Sequence, residues 1–309
     1  MKKIDVFAHV FLPEYQKRMT KLAPQLFERM PFLQNPVLAD MTLRRKHQPE
    51  GVLQVISHVN VNPEDYLPGR SAVLMAKKAN QELVQTVKNH PDLFAGGVAM
   101  LALNDVEGSL TILDQVAQTP ELLGIQLFSR HLGQSWVAES FRPIFAKAAE
   151  LDLPIWLHPV FDERKPDNNI VFSWEYEQTQ AMLELVQAGL FKEFPQLKII
   201  VHHAGAMVPY FAGRIDHILP EEQAQDFRKF YVDTAILGNP KALDLAVDFF
   251  GVERVLFGTD APLGVAPAGA TELILEAIEA LPLQVTEKEA ILSGNVTDLL
   301  GGNSYESNQ

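Results

Sequence analysis

Short apolar or β-branched runs alternate with longer amphipathic stretches from one end of the chain to the other. Lys3–His9, Val52–His58, Phe94–Leu101, Leu123–Phe128, Pro154–His158, Lys198–His202, Phe230–Asp233 and Arg254–Phe257 read as eight strands. Between them, Ser71–Asn89, Val106–Gln118, Ser140–Leu151, Glu175–Phe194, Pro240–Phe250 and Gly269–Leu281 carry apolar residues at helical spacing. Strands that alternate with helices imply a parallel sheet with right-handed crossovers. Eight such units in 309 residues predict an α/β fold, a single (β/α)8 or TIM barrel. The rival is a doubly wound open sheet, which wants a glycine-rich first turn. Here that turn is Phe7-Ala8-His9-Val10-Phe11-Leu12-Pro13, without glycine.

The pattern predicts one domain over 1–309, with residues 11–50 as a helical and irregular insertion over the active-site face. That stretch holds Pro13, Pro24, Pro31 and Pro36 and is long for a first connection. Glu287–Leu300 reads as a closing helix and Gly301–Gln309 as a frayed end.

Composition narrows the partners. With 47% hydrophobic and 21% charged residues the chain has a globular profile. The formal charge of −13 and the lack of a basic stretch argue against nucleic acid and anionic membranes. There is no cysteine, so thiolate metal sites and cysteine nucleophiles are excluded. No apolar run approaches the roughly 18 residues of a membrane span, and Met1-Lys2-Lys3 leads straight into the first strand. The expected compartment is the cytoplasm.

Barrel enzymes place their chemistry at the C-terminal ends of the strands. His9, His158, His203 and Asp260 fall at or just after such ends. One histidine there is most often a hydrogen-bonded structural residue. Four metal-competent side chains from distant positions, brought to one mouth, point to a site instead. Imidazole and carboxylate suit zinc, manganese or iron.

The motifs around these residues resemble a known family. They are Ile4-Asp5-x-x-x-His9, Leu153-Pro154-Ile155-Trp156-Leu157-His158-Pro159, His203-Ala204-Gly205-Ala206-Met207-Val208-Pro209 with Gly213-Arg214-Ile215, Leu256-Phe257-Gly258-Thr259-Asp260-Ala261-Pro262, and Gly294-Asn295. Together they are similar to the amidohydrolase superfamily, in particular the aminocarboxymuconate-semialdehyde decarboxylase-like amidohydrolase-2 group. The resemblance implies that His9, His158 and Asp260 ligate one divalent metal ion, zinc first, with manganese or iron as alternatives. It further implies that His203 sits beside the metal and polarises substrate or water, that Asp260 shuttles a proton, and that the protein is a homodimer. The sequence departs from the pattern at Phe7, where most relatives carry a first-strand metal ligand.

Further candidates line the expected mouth. His58, Gln126, Arg130, Trp174 and Arg214 are expected to contact substrate, with Arg130 suited to clamp a carboxylate. Asp233 is expected to support the site, and the connection 161–172 to cover it. His202 is expected to be a packed structural residue, because adjacent strand residues face opposite ways.

Decarboxylation of a small conjugated or aromatic carboxylic acid is the first reading, on the strength of the resemblance. A metal-dependent hydrolase of a small amide, ester or lactone would use the same atoms. Phe7 keeps open a third reading, a non-catalytic binding barrel. No nucleophile elbow, P-loop or zincin motif is present.

Overall fold

The computed structural model describes residues 2–131, 135, 139–160 and 169–301. Seven strands, β1 (Lys3–Val10), β2 (Val52–His58), β3 (Phe94–Met100), β4 (Leu122–Phe128), β5 (Ile155–His158), β6 (Ile199–Val201) and β7 (Tyr231–Val232), pair in parallel in strict chain order. The helices Gly69–Asn89, Val106–Val116, Arg142–Glu150, Ser173–Gln187 and Pro240–Phe250 run between consecutive strands or after the last, as parallel crossovers require. Among the described residues no helix is long and apolar enough to cross a membrane.

The expected eighth strand, Arg254–Phe257, is not one. Its segment instead makes single backbone bonds in two directions. Leu256 N donates to Val232 O (2.8 Å) on β7, while Phe257 O accepts from Val6 N (2.8 Å) on β1. Further on, Asp260 N donates to Phe7 O (2.8 Å) and Ala261 O accepts from His9 N (2.7 Å). The curled sheet thus meets itself across residues 255–261. A left-handed φ of 62° at Asp260 keeps this stretch from forming a regular ladder.

Two apolar cores lie on opposite faces of the sheet. The larger one packs strand residues such as Ala8, Val10, Leu157 and Val201 against the helices. The smaller one is built mainly from the strand residues Ile4, Val6, Phe7, Val55, Val98, Leu123, Trp156 and Ile200, joined by Leu256 of the closing segment and by Val296 and Leu299. Strict alternation would send Val6 and Phe7 to opposite faces. The β1–β2 register shifts between Asp5 and Ala8, and that irregularity turns both Val6 and Phe7 inward, carrying His9 with them.

Residues 11–50 form the helices Pro13–Leu22, Leu26–Arg29 and Met41–His47 with short 3₁₀ turns at Pro31–Gln34 and Pro36–Leu38. The helix expected over Glu175–Phe194 is broken in two by Gly189 at φ 68°. At the end of the chain Asn295 donates to the carbonyls of Val252 and Val255, both at 2.8 Å, and ties the Asn295–Leu299 helix to the closing segment. Residues 161–168 of the expected covering loop and 302–309 of the expected frayed end lie outside the described residues.

Candidate metal centre

His9, His158, His202 and Asp260 converge, each offering one ligand atom within 4.8 Å of the others. His158 is the last residue of β5 and shares the face of Trp156 two residues earlier. His202 follows β6 on the face of Ile200, again two residues earlier. His9 arrives through the irregularity in β1, and Asp260 through its left-handed backbone.

Each histidine has its Nδ1 engaged. In His9 it lies 3.1 Å from Ser57 Oγ, in His158 2.6 Å from the carbonyl of Pro159, and in His202 it pairs with Asp233 Oδ2. Asp233 is itself held, its Oδ1 accepting from Ala204 N (3.1 Å) and Ala235 N (2.9 Å). Gly258 permits this arrangement, because a Cβ there would stand 2.7 Å from Asp233 Cβ. Nδ1 contacts of this kind fix ring orientation and leave Nε2 as the ligand atom. Nε2 of His9 and of His202 lie 3.1 and 3.4 Å from Asp260 Oδ1, yet both are buried without a well-formed hydrogen bond. Buried polar atoms are rarely left so. Three imidazoles and a carboxylate with two orphaned nitrogens fit a divalent transition metal.

The electrostatics prepare two of the three rings for a metal, while His202 must give up a proton to it. Burial pushes His9 below the usual imidazole range; burial, then the His9 and His202 charges, push His158 well below it. Both rings are therefore neutral and ready to ligate. Burial also opposes charge on His202, but Asp233 and Asp260 overcome it and push the ring up to about 10. Burial raises Asp260, yet the His202 and His9 rings facing its Oδ1 win and hold its carboxyl well below the usual range.

Three of the donors, His9, His158 and Asp260, line a cavity of about 520 Å³, and His202 is buried behind them. The cavity walls are largely apolar, including Phe32, Val59, Ile170, Trp174, Leu237 and Leu263, with Asn60, Glu175 and His203 as further polar groups. His203 Nδ1 lies 2.7 Å from Glu175 Oε1. Phe7 is buried beneath the donors and stacks on His202.

The expected residues divide between the site and its surroundings. His9, His158 and Asp260 come together, and His203 and Trp174 line the cavity. The other four expected substrate contacts are not among the cavity's described lining. His58 packs on Tyr15, with Nε2 3.4 Å from the Ala79 carbonyl. Gln126 donates to the His58 carbonyl at 3.3 Å, Arg130 pairs with Glu177, and Arg214 is exposed on the helix Ala212–Ile218.

His202, expected to be a packed structural residue, stands with the other donors beside Asp260, while His203, expected next to the metal, lines the cavity. His203 has a left-handed φ of 56°, so the strand rule had already lapsed by that position. Ile200 was the available signal, since a β6 residue facing the inner core puts residue 202 on the same face. Glu175 and Asn60 had no such signal.

A curled parallel sheet that gathers histidines and an aspartate at its strand ends defines a class of α/β proteins built to hold a divalent cation. The family model for the amidohydrolases matches residues 5–302, and the chain belongs to that family. It is 27% identical over 248 residues to 6-methylsalicylic acid decarboxylase of Penicillium expansum, covering 74% of this chain and 75% of the relative. It is likewise 27% identical over 278 residues to 2-amino-3-carboxymuconate-6-semialdehyde decarboxylase of Dictyostelium discoideum, covering 85% and 76%. The fold is similar to that of a dihydroxybenzoic acid decarboxylase from Polaromonas sp. JS666 with bound manganese and the inhibitor 2-nitroresorcinol. The TM-score is 0.81 at 22% identity, covering 97% of this chain and 96% of that one.

Proposed function

We propose that the protein is a metal-dependent, non-oxidative decarboxylase of a small aromatic or conjugated carboxylic acid. The observation that carries this reading is a cluster of four donors, three of which line a largely apolar cavity. His9, His158, His202 and Asp260 would hold one divalent ion, manganese before zinc or iron, given the manganese in the Polaromonas relative. When bound, that ion supplies positive charge to offset a carboxylate and an adjacent oxygen.

The chain's own residues do the rest. The apolar walls, Trp174 among them, take the ring and exclude water. Decarboxylation then needs a proton on the ring carbon that bears the carboxylate. We assign its delivery to His203, oriented by Glu175, because His202 and His9 hold Asp260 ionised. The carbon–carbon bond breaks with its electron pair returning to the ring, and carbon dioxide leaves. Solvent reprotonates His203.

The reading extends to the whole chain: one domain, residues 254–261 as the eighth stave of a closed (β/α)8 barrel, residues 11–50 as an insertion over the mouth, and a cytoplasmic homodimer. The test is a panel of hydroxybenzoates and conjugated dicarboxylates incubated with the manganese-loaded protein, with carbon dioxide and ring product both quantified. Equimolar release of the two, lost on chelation, supports the assignment. Water incorporated into an amide, ester or lactone substrate, with no carbon dioxide, would move it to the hydrolase.

A further inference from the structure

The first connection sends one charged side chain into the seam between β1 and residues 255–261. Arg44 sits on the Met41–His47 helix, which Asp40 caps by accepting from Thr42 N and Leu43 N at 2.9 Å. Arginine is almost never fully buried unless paired, yet Arg44 is 2% exposed. Its Nη1 donates to the carbonyl of His9 (2.8 Å), its Nε to Oε1 of Gln54 (2.8 Å), and its Nη2 reaches the carbonyl of Ala261 (3.5 Å). Gln54 passes its amide on to Asp5 Oδ2 (3.0 Å). The same carboxylate accepts from Thr259 Oγ1 (2.6 Å) and Thr259 N (3.0 Å).

The network therefore spans the seam where residues 255–261 meet β1. One side of that seam carries His9 and the other Asp260, and Arg44 holds backbone carbonyls at or next to both. The planar guanidinium can serve three acceptors in one plane, which an ammonium cannot.

We propose that Arg44, acting through the Gln54–Asp5–Thr259 relay, is a positioning residue that keeps His9 and Asp260 at their ligating separation. It touches neither substrate nor metal. Its effect on the metal rests on the metal-site reading above; its effect on the seam does not.

The test compares wild type, Arg44→Lys, Gln54→Leu and Leu113→Ala. Leu113 is buried on the Val106–Val116 helix, so its variant is destabilised away from the seam. Hydrogen–deuterium exchange is measured on the metal-free proteins, and manganese affinity by chelator competition. Arg44→Lys should speed exchange in peptides covering 3–10 and 255–262 about tenfold and weaken manganese binding by about ten- to a hundredfold. Gln54→Leu should do the same to a smaller degree, and it keeps the test alive should Arg44→Lys not fold. Leu113→Ala should lower the melting temperature and speed exchange across the whole core, without an excess in 3–10 and 255–262, and leave manganese affinity within about twofold of wild type. The proposal falls if both seam variants match Leu113→Ala in exchange and affinity. If wild type binds no manganese, the metal reading fails, and the exchange data alone decide the seam.

Discussion

Phe7 lies against His202, their ring centroids 3.9 Å apart and their planes 23° from parallel. The same phenyl ring is 5.8 Å from both His9 and His158. A residue that cannot ligate thus forms the floor on which one candidate donor rests, with Asp233 fixing that ring from its far edge.

Replacing the floor should be felt in the metal. Phe7→Leu removes a stacked pair worth about 0.5–1.5 kcal/mol beyond its burial and lets the His202 ring tilt. Manganese affinity should fall several-fold, with a modest drop in melting temperature. Phe7→His places a nitrogen beside the existing donors and should slow metal loss to a chelator. Equal chelator kinetics in all three proteins would show that the ring plays no part in metal retention.

His203 and Glu175 pair at 2.7 Å in the cavity wall and lie outside the four donors. His203→Gln should therefore keep its manganese but lose roughly 10²- to 10⁴-fold in kcat, the usual worth of a placed acid. Glu175→Gln keeps a hydrogen-bond acceptor but not the charge, so a smaller loss is expected. Metal content and single-turnover kinetics on the same preparations separate the two effects. Loss of metal from His203→Gln would move that residue into the ligand set.

Much of this was legible from strand ends alone. His158 closes a regular strand, so its position was enough to place it. Asp260 was placed after the expected eighth strand and by its motif, although the segment carrying it is no strand and relies on a left-handed residue that periodicity cannot show. His202 was read as a packed residue because the β6 strand stops at Val201 and alternation gives way to a run of positive-φ residues from His203 to Ala206. Register shift in β1 was equally silent, and without it Val6 and Phe7 could not share a core. Arg130 looked like a carboxylate clamp by charge and location. Its partner proved to be Glu177, a pairing across 47 residues that no local pattern encodes.

Asp233 is fully buried and accepts from the His202 ring and two backbone amides. In Asp233→Asn the carbonyl oxygen can keep the Ala204 and Ala235 amides, but the charge facing His202 is gone. Metal affinity should drop about 10- to 100-fold while the fold persists. Calorimetric titration with manganese checks it, and an unchanged dissociation constant would remove Asp233 from the support of the site.

Asp5 gives the protein an unusual dependence on pH. It is buried at the start of β1, and burial raises its carboxyl from 3.8 to about 7, against the hydrogen bonds from Thr259, Phe7 and Gln54 and the Arg44 charge. A raised folded pKa means that the folded state holds the proton more tightly than the unfolded chain does. The contribution is fully present below 3.8, is lost as pH climbs from about 4 to about 7, and is flat above that. Salt-bridged carboxylates slope the other way, so total stability hides the effect. Asp5→Asn exposes it, because an amide does not titrate. The variant carries a fixed penalty from facing the Gln54 amide nitrogen, and wild type should be ahead of it at pH 4.5. That lead should shrink by roughly 2–4 kcal/mol by pH 8, read from urea midpoints of the metal-free proteins across the window. A lead independent of pH would mean that Asp5 is ionised throughout and that Arg44, reached through Gln54, compensates its charge in full.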